Sequence, residues 1–170
     1  QDVMVFKSIL IANRGEIACR VIKTARRLGI KTYAVYSEAD RNALHIKEAD
    51  VALFIGPAES KKSYLNIKKI TDIAVENNIA AIHPGYGFLS ENYHFARRVE
   101  ESGVKFIGPS WKAIKAMGNK NNAKNIISSV NIPLVKGFLV DKQKPLENKR
   151  KAKDIGFPVI AKAAAGGGGK

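Results

Sequence analysis

The sequence predicts an α/β protein built on a doubly wound parallel sheet, and two observations favour that fold class. Short apolar runs alternate with turns and helical segments over roughly the first hundred residues, which is typical of parallel strands joined by crossover helices. The apolar runs are also short and rich in Ile, Val, Ala or Tyr, as buried parallel strands are. The predicted strands are Ser8–Ala12, Thr32–Tyr36, Val51–Ile55, Ile79–His83 and Lys105–Ile107.

A helix is predicted directly after the first strand. Its apolar residues recur at three- and four-residue steps, which predicts one face packed on the sheet. These residues are Ile17, Val21, Ala25 and Leu28. Gly29 follows them and is expected to end the helix, because glycine readily adopts the left-handed conformation found at helix ends.

The character of the sequence changes after Ile107, where Gly-Pro-Ser breaks the chain. Ser110 is expected to cap a helix that runs to Met117. Later elements are a helix at 122–130, a helix opened by proline at 145–155 and a strand at 158–162. We therefore expect one domain over residues 1–115 and the beginning of a second over residues 116–170.

Composition narrows the class of protein. A chain of 170 residues that is 45% hydrophobic and 26% charged is typical of a globular domain, and one cysteine, Cys19, excludes an internal disulfide. No apolar run approaches the roughly 20 residues that span a bilayer, so no membrane partner is expected. The formal net charge of +14 favours anionic partners. Because the basic residues are scattered and interspersed with acidic ones, no nucleic-acid partner is expected.

A run of glycines follows the last predicted strand and predicts a phosphate-binding loop. The glycines are Gly166, Gly167, Gly168 and Gly169. Their backbone amides can approach a polyphosphate without side-chain interference. A flexible linker is the alternative, although linkers seldom follow a buried strand that ends in lysine. That lysine, Lys162, suits an ATP phosphate, or it is an ordinary lysine reaching water. Lys120 follows a glycine turn and offers a second positive charge.

The segment from His83 to Asn92 follows the fourth predicted strand. It therefore lies at the carboxyl edge of the sheet, where open α/β folds build their binding sites. Two glycines and a proline fix its backbone, and Tyr86 and Glu91 offer a ring and a charge. The residues alone are compatible with either a binding loop or a structural one. No metal site is predicted, because the histidines are not spaced as metal ligands are.

Six segments together resemble the biotin carboxylase family, in the same order and with similar spacing across essentially the whole chain. They are IANRGEIACR at 11–20, SYLN at 63–66, HPGYGFLSEN at 83–92, FIGPS at 106–110, MGNK at 117–120 and FPVIAKAAAGGGGK at 157–170. The resemblance implies a Rossmann-like pre-ATP-grasp domain followed by the start of an ATP-grasp domain. The glycine-rich loop of that second domain lies where this sequence stops.

The resemblance also implies an activity, an ATP-dependent ligase that carboxylates biotin with bicarbonate through carboxyphosphate. By position, Lys120, Lys162 and the glycines from Gly166 to Gly169 match ATP-binding residues. Tyr86 and Gly87 match positions that border biotin. The family's Mg²⁺ ligands and its bicarbonate-binding arginine would lie beyond residue 170. We therefore expect no catalytic residue in this chain, and the chain alone is expected to be inactive.

The same resemblance implies partners: a biotin carboxyl carrier domain, a carboxyltransferase subunit and further copies of the chain in an oligomer. Arg20 corresponds to a position near a subunit contact, whereas Arg27 replaces an acidic residue typical there. The bacterial cytoplasm or the mitochondrial matrix is the expected compartment. Residues 36–45 and 55–66 are most similar to propionyl-CoA or methylcrotonyl-CoA carboxylases. The alternatives are pyruvate carboxylase, another ATP-grasp ligase and a nucleotide-binding module without activity.

Overall fold

A parallel sheet organises the first part of the chain in the computed structural model, which describes residues 6–128, 132–133 and 135–161. Its strands are β1 (Ser8–Ile11), β2 (Lys31–Ser37), β3 (Val51–Gly56), β4 (Ala81–His83) and β5 (Lys105–Phe106). They form one five-stranded sheet in the order β3-β2-β1-β4-β5, and every neighbouring pair is parallel. The five strands predicted for this part of the chain and the α/β fold class are confirmed.

Helices cover both faces of this sheet. They are α1 (Gly15–Arg27), α2 (Leu44–Glu48), α3 (Ile67–Glu76), α4 (Tyr93–Glu101) and α5 (Trp111–Met117). Leu10 of β1 packs on one face with residues of α3 and α4, including Ile70 and Phe95. Ile9 and Ile11 point to the opposite face and pack with α1. β1 is therefore buried on both sides, as the central strand of a doubly wound sheet must be.

The buried face of α1 differs from the predicted one. The residues of α1 that are buried are Ala18, Ile22 and Ala25. Ile17 and Val21 lie half-buried at the edge of this face, and Leu28 is 59% exposed. The buried residues recur at four- and three-residue steps, as predicted, but they begin one residue later than Ile17, so the predicted face is rotated around the helix and shares only Ala25 with the buried one. Leu28 comes after the last helical residue and leaves the face.

Helix ends follow the predicted signals. Gly29 has φ of +70°, and the N–H of Ile30 donates to the carbonyl of Ala25 at 2.9 Å, which closes the end of α1. Ser110 caps α5, because its Oγ accepts a hydrogen bond from the N–H of Ala113 at 3.3 Å.

The chain divides into two compact units between Ile114 and Lys115. The second unit contains α6 (Lys120–Ser128) and α7 (Pro145–Ile155). α6 begins before the predicted residue 122, because the Asn119 side chain accepts a hydrogen bond from the N–H of Asn122 at 3.2 Å and caps an earlier first turn. α7 has the predicted bounds.

The predicted strand at 158–162 is wrong for the residues that the structure describes there. Residues 158–161 form no strand, and Val159 and Ile160 are 44% and 82% exposed. A strand needs a neighbour that pairs with its backbone N–H and C=O groups, and no described strand pairs with this segment. Lys162 lies outside the described residues.

Candidate functional site

The candidate site lies at the carboxyl edge of the sheet, on the loops that follow β1, β2, β3 and β4. The chain moves from β1 through β2 to β3 on one side, and β4 and β5 lie on the other. The reversal of direction falls between β1 and β4. Open α/β sheets bind ligands at such a point because the loops diverge there.

Asn13 joins the β1 and β4 loops across this point. Its side chain is buried, and its Nδ2 donates to the carbonyl oxygens of Pro84 at 2.9 Å and Tyr86 at 2.8 Å. Its Oδ1 accepts from the N–H of Arg14 at 2.9 Å. Both amide hydrogens of Asn13 are therefore used to hold the β4 loop.

The next residue, Arg14, reaches in the other direction, to the loop after β2. Its Nε donates to Oδ2 of Asp40 at 2.6 Å, and its Nη2 donates to Oδ1. The hydroxyl of Tyr64, which follows β3, also donates to Oδ2 of Asp40, at 2.6 Å, and accepts from the N–H of Ser37 at 3.3 Å. Three loops are joined through one carboxylate.

The pKa values of this network follow from its contacts. The hydrogen bonds from Arg14 are the largest influence on the pKa of Asp40, which lies below its usual value. The same bonds raise the pKa of Arg14. Burial, followed by the hydrogen bond to Asp40, raises the pKa of Tyr64 to about 12. At neutral pH, Asp40 is therefore an anion whose two oxygens are both hydrogen-bonded, so it is suited to holding the loops and not to taking up a proton.

The β4 loop has an unusual backbone. Gly85 and Gly87 have φ of +64° and +67°, and Phe88 has φ of +40°, which a residue with a side chain rarely adopts. The Phe88 ring stacks on Tyr64 with centroids 5.1 Å apart, and Leu89 is buried. These contacts stabilise the left-handed conformation of Phe88, and such conformations are often found at functional sites.

Two histidines near this edge are held in their neutral form. His83 Nδ1 accepts a hydrogen bond from the N–H of Gly85 at 3.0 Å, and burial lowers the pKa of His83. His45 is buried with its Nε2 3.2 Å from the carbonyl of Val35, and burial lowers the pKa of His45 as well. Its Nδ1 has no hydrogen-bond partner among the described residues. Within the same residues, no group of three or more His, Cys, Asp or Glu side chains is arranged to hold a metal ion.

The structure locates only part of the predicted site. Tyr86 and Gly87 lie next to each other on the β4 loop, with Tyr86 61% exposed and open space beside Gly87. Lys120 is the first residue of α6, in the second unit. Lys162 and the glycines from Gly166 to Gly169 lie outside the described residues.

Sequence reasoning assigned no role to Asn13, Arg14, Asp40 or Tyr64. The available signal was a polar pair, Asn13 and Arg14, directly after a strand that is buried on both faces. Within the described residues, no helix is long and apolar enough to cross a membrane.

Comparisons with known proteins identify the family of this chain. Residues 5–114 match the family model for the biotin carboxylase N-terminal domain, and residues 119–170 match that for the ATP-binding domain of the carbamoyl-phosphate synthase L chain. The first match covers more than half of the chain. The chain therefore belongs to the biotin carboxylase N-terminal domain family, as the six sequence segments predicted.

Similar proteins are much longer than this chain. The small subunit of 2-oxoglutarate carboxylase from Hydrogenobacter thermophilus is 51% identical over 168 residues, which are 97% of this chain and 35% of that protein. The mitochondrial methylcrotonoyl-CoA carboxylase subunit alpha from Dictyostelium discoideum is 54% identical over 162 residues, or 95% of this chain and 23% of that protein. This chain thus spans about a third or less of each relative.

A solved structure gives the same fold. It is the biotin carboxylase domain dimer of the Hydrogenobacter thermophilus 2-oxoglutarate carboxylase, in complex with MgADP, ADP and bicarbonate. The TM-score is 0.88 at 50% identity, over 97% of this chain and 36% of that one.

Replacing Tyr64 with Phe should lower the free energy of unfolding. The substitution keeps the stacked ring but removes the hydroxyl that Asp40 and Ser37 share, so a buried N–H loses its acceptor. We expect a loss of about 1–3 kcal/mol in urea unfolding. Tyr36→Phe is the control, because the Tyr36 hydroxyl makes no hydrogen bond with a described residue. Equal losses in the two variants would show that the Tyr64 hydroxyl does not stabilise the fold.

The free energy of unfolding should also fall as the pH is lowered from about 7 towards 5. Burial puts the folded-state pKa of His45 and His83 below the ordinary 6.5. Below that pH the unfolded chain binds more protons than the folded chain, so stability is complete above about pH 6.5 and is lost as the pH falls. Urea unfolding at several pH values measures this loss.

Substitution assigns the pH dependence to particular histidines. His45→Gln and His83→Gln should each flatten the dependence of stability on pH, whereas His94→Gln, at an exposed position, should leave it as it is. If the pH dependence were the same in all three variants, the buried histidines would not be its source.

Proposed function

We propose that this chain is the amino-terminal part of a biotin carboxylase, which carboxylates biotin with bicarbonate and MgATP through carboxyphosphate. The observation that carries the proposal is the match of 97% of the chain, at a TM-score of 0.88, to a biotin carboxylase domain solved with MgADP and bicarbonate. On this proposal, residues 1–115 form the pre-ATP-grasp domain and residues 116–170 begin the ATP-grasp domain.

The β4 loop is the proposed biotin side of the site. Tyr86 is largely exposed, and a Cβ built on Gly87 would have no atom within 4 Å, so a ring can approach both residues. The two buried titratable groups at this edge are engaged in internal hydrogen bonds, Asp40 with Arg14 and Tyr64 and Nδ1 of His83 with the N–H of Gly85. That composition suits a surface that orients biotin while other residues supply the chemistry.

ATP is proposed to bind through the second unit. Lys120 and Lys162 would place positive charge near the phosphates, and the amides of Gly166, Gly167, Gly168 and Gly169 would donate hydrogen bonds to them. The support is the donor set itself: two ammonium groups and a run of unhindered N–H groups suit a polyphosphate. Mg²⁺ would be held by acidic residues outside this chain.

The acyl or keto-acid acceptor is proposed to be chosen by other parts of the enzyme. The two relatives act on 2-oxoglutarate and methylcrotonoyl-CoA by name, yet their identities to this chain are 51% and 54%. If this chain belongs to the part that carboxylates biotin, a step that both enzymes would share, it should be about equally identical to enzymes with different acceptors. An acyl-CoA carboxylase remains our proposal from residues 36–45 and 55–66.

The proposed partners are a biotin carboxyl carrier domain, a carboxyltransferase subunit and a second copy of the chain. Both relatives are named as subunits, and the solved 2-oxoglutarate carboxylase domain is described as a dimer. The compartment would be the bacterial cytoplasm or, in a eukaryote, the mitochondrial matrix. The second location agrees with the mitochondrial name of the Dictyostelium relative.

The full-length enzyme should release phosphate from ATP in a bicarbonate- and biotin-dependent manner. The measurement is phosphate release with and without bicarbonate and free biotin. We expect each co-substrate to be required for the full rate. Release that is indifferent to both would exclude the carboxylase and favour another ATP-dependent ligase.

Lys162→Gln in the full-length enzyme should weaken ATP binding. A charge-assisted contact to phosphate is worth roughly 1.5–3 kcal/mol, so the KM for ATP should rise about ten- to a hundredfold. Lys153→Gln on α7 is the control, because Lys153 is exposed and its loss removes the same charge elsewhere. A variant that melts far below wild type at an unchanged KM for ATP would make Lys162 a structural residue.

A further inference from the structure

Among the described residues, Asn13 is the only one outside the β4 loop whose side chain donates hydrogen bonds to it. Its amide bonds two carbonyls of that loop, those of Pro84 and Tyr86, which flank Gly85. The fit is tight, because a Cβ added to Gly85 would lie 2.7 Å from Asn13 Nδ2. The loop therefore rests directly on the Asn13 side chain.

The direction of these hydrogen bonds is fixed by the third one. Because Oδ1 of Asn13 accepts from the N–H of Arg14, the amide nitrogen must face the two carbonyls. Only a neutral amide offers two donors and one acceptor in this space. A carboxylate of the same shape would keep the acceptor and place negative charge against two carbonyl oxygens.

The loop is also held on its far side, by the stacking of Phe88 on Tyr64 and the burial of Leu89. Tyr86 and Gly87 lie between these two supports. The Tyr86 carbonyl is bonded while its side chain remains exposed. Asn13 thus fixes the backbone at the point from which the exposed ring projects.

We infer that Asn13 is a positioning residue for biotin, which acts by fixing the Pro84–Tyr86 backbone so that Tyr86 and Gly87 present one arrangement to the ligand. The inference rests on the proposed function, since it takes these two residues as the biotin side. Asn13 itself is buried beneath the loop and does not touch the ligand.

The test is Asn13→Asp in the full-length enzyme. We expect the KM for free biotin to rise about tenfold or more, because the carbonyls of Pro84 and Tyr86 lose their shared donor. The KM for ATP and the biotin-independent release of phosphate should stay within about twofold, because the ATP-binding residues are not touched. The amides of Gly85 and Ser90 should exchange hydrogen faster, while those of α3 should not.

Asn77→Asp is the matched control. Asn77 Nδ2 donates to the carbonyl of Ile73 at 2.9 Å at the end of α3, so the same substitution also removes a donor from a carbonyl. That position precedes β4 and lies at the amino edge of the sheet. Asn77→Asp should lower stability without changing the KM for biotin, which separates positioning from a general loss of stability.

The outcomes decide between the inference and the proposed function. An active wild type whose Asn13→Asp variant keeps the wild-type KM for biotin would overturn the inference, as would equal changes in the KM for biotin and for ATP. A wild type without biotin-dependent turnover would instead refute the proposed function. Hydrogen exchange then shows whether Asn13 holds the loop. If Asn13→Asp does not fold, Asn13→Ser, which is too short to reach both carbonyls, replaces it with the same expected results.

Discussion

The pairing of β1 with both β2 and β4 is the constraint on which the site depends. It places β1 at the centre of the sheet, where helices cover both of its faces, and brings the end of β1 to the place where the sheet reverses direction. Two successive side chains just beyond this end then reach opposite neighbours: Asn13 bonds the loop after β4, and Arg14 bonds Asp40 after β2. Two successive residues thus connect both halves of the sheet at its carboxyl edge.

The charges at this edge are arranged to hold the structure. A buried carboxylate is costly unless it is paired and hydrogen-bonded, and Asp40 meets both conditions through Arg14 and Tyr64. The Arg14 guanidinium donates to both oxygens of Asp40, so the geometry of the two hydrogen bonds, in addition to the opposite charges, fixes the orientation of the carboxylate. The Tyr64 ring is fixed in turn, and its face supports Phe88 in a conformation that is unfavourable for an isolated phenylalanine.

The sequence predicted the sheet because each strand is a short apolar run, a local property that can be read without knowing its neighbours. It also predicted the caps at Gly29 and Ser110, which depend on adjacent residues alone. Contacts between residues far apart in the sequence could not be predicted in this way: Arg14 and Asp40 are 26 residues apart, and Asn13 and Pro84 are 71 residues apart. The apolar segment at 158–161 misled for a related reason, since a strand exists only where another strand pairs with it.

On the proposed function, preorganisation of the binding surface explains why so much of this edge holds one loop. Binding a small ring costs less when the receiving residues are already fixed, because their conformational entropy has been lost on folding. Tyr86 has a long exposed side chain, and Gly87 has no side chain to restrain it, so both depend on the backbone around them for a defined position. Asn13 on one side, and the stacking of Phe88 on Tyr64 on the other, supply that restraint. On the proposed function, the first unit therefore contributes a fixed surface for biotin, and the charge needed to handle ATP belongs to the second.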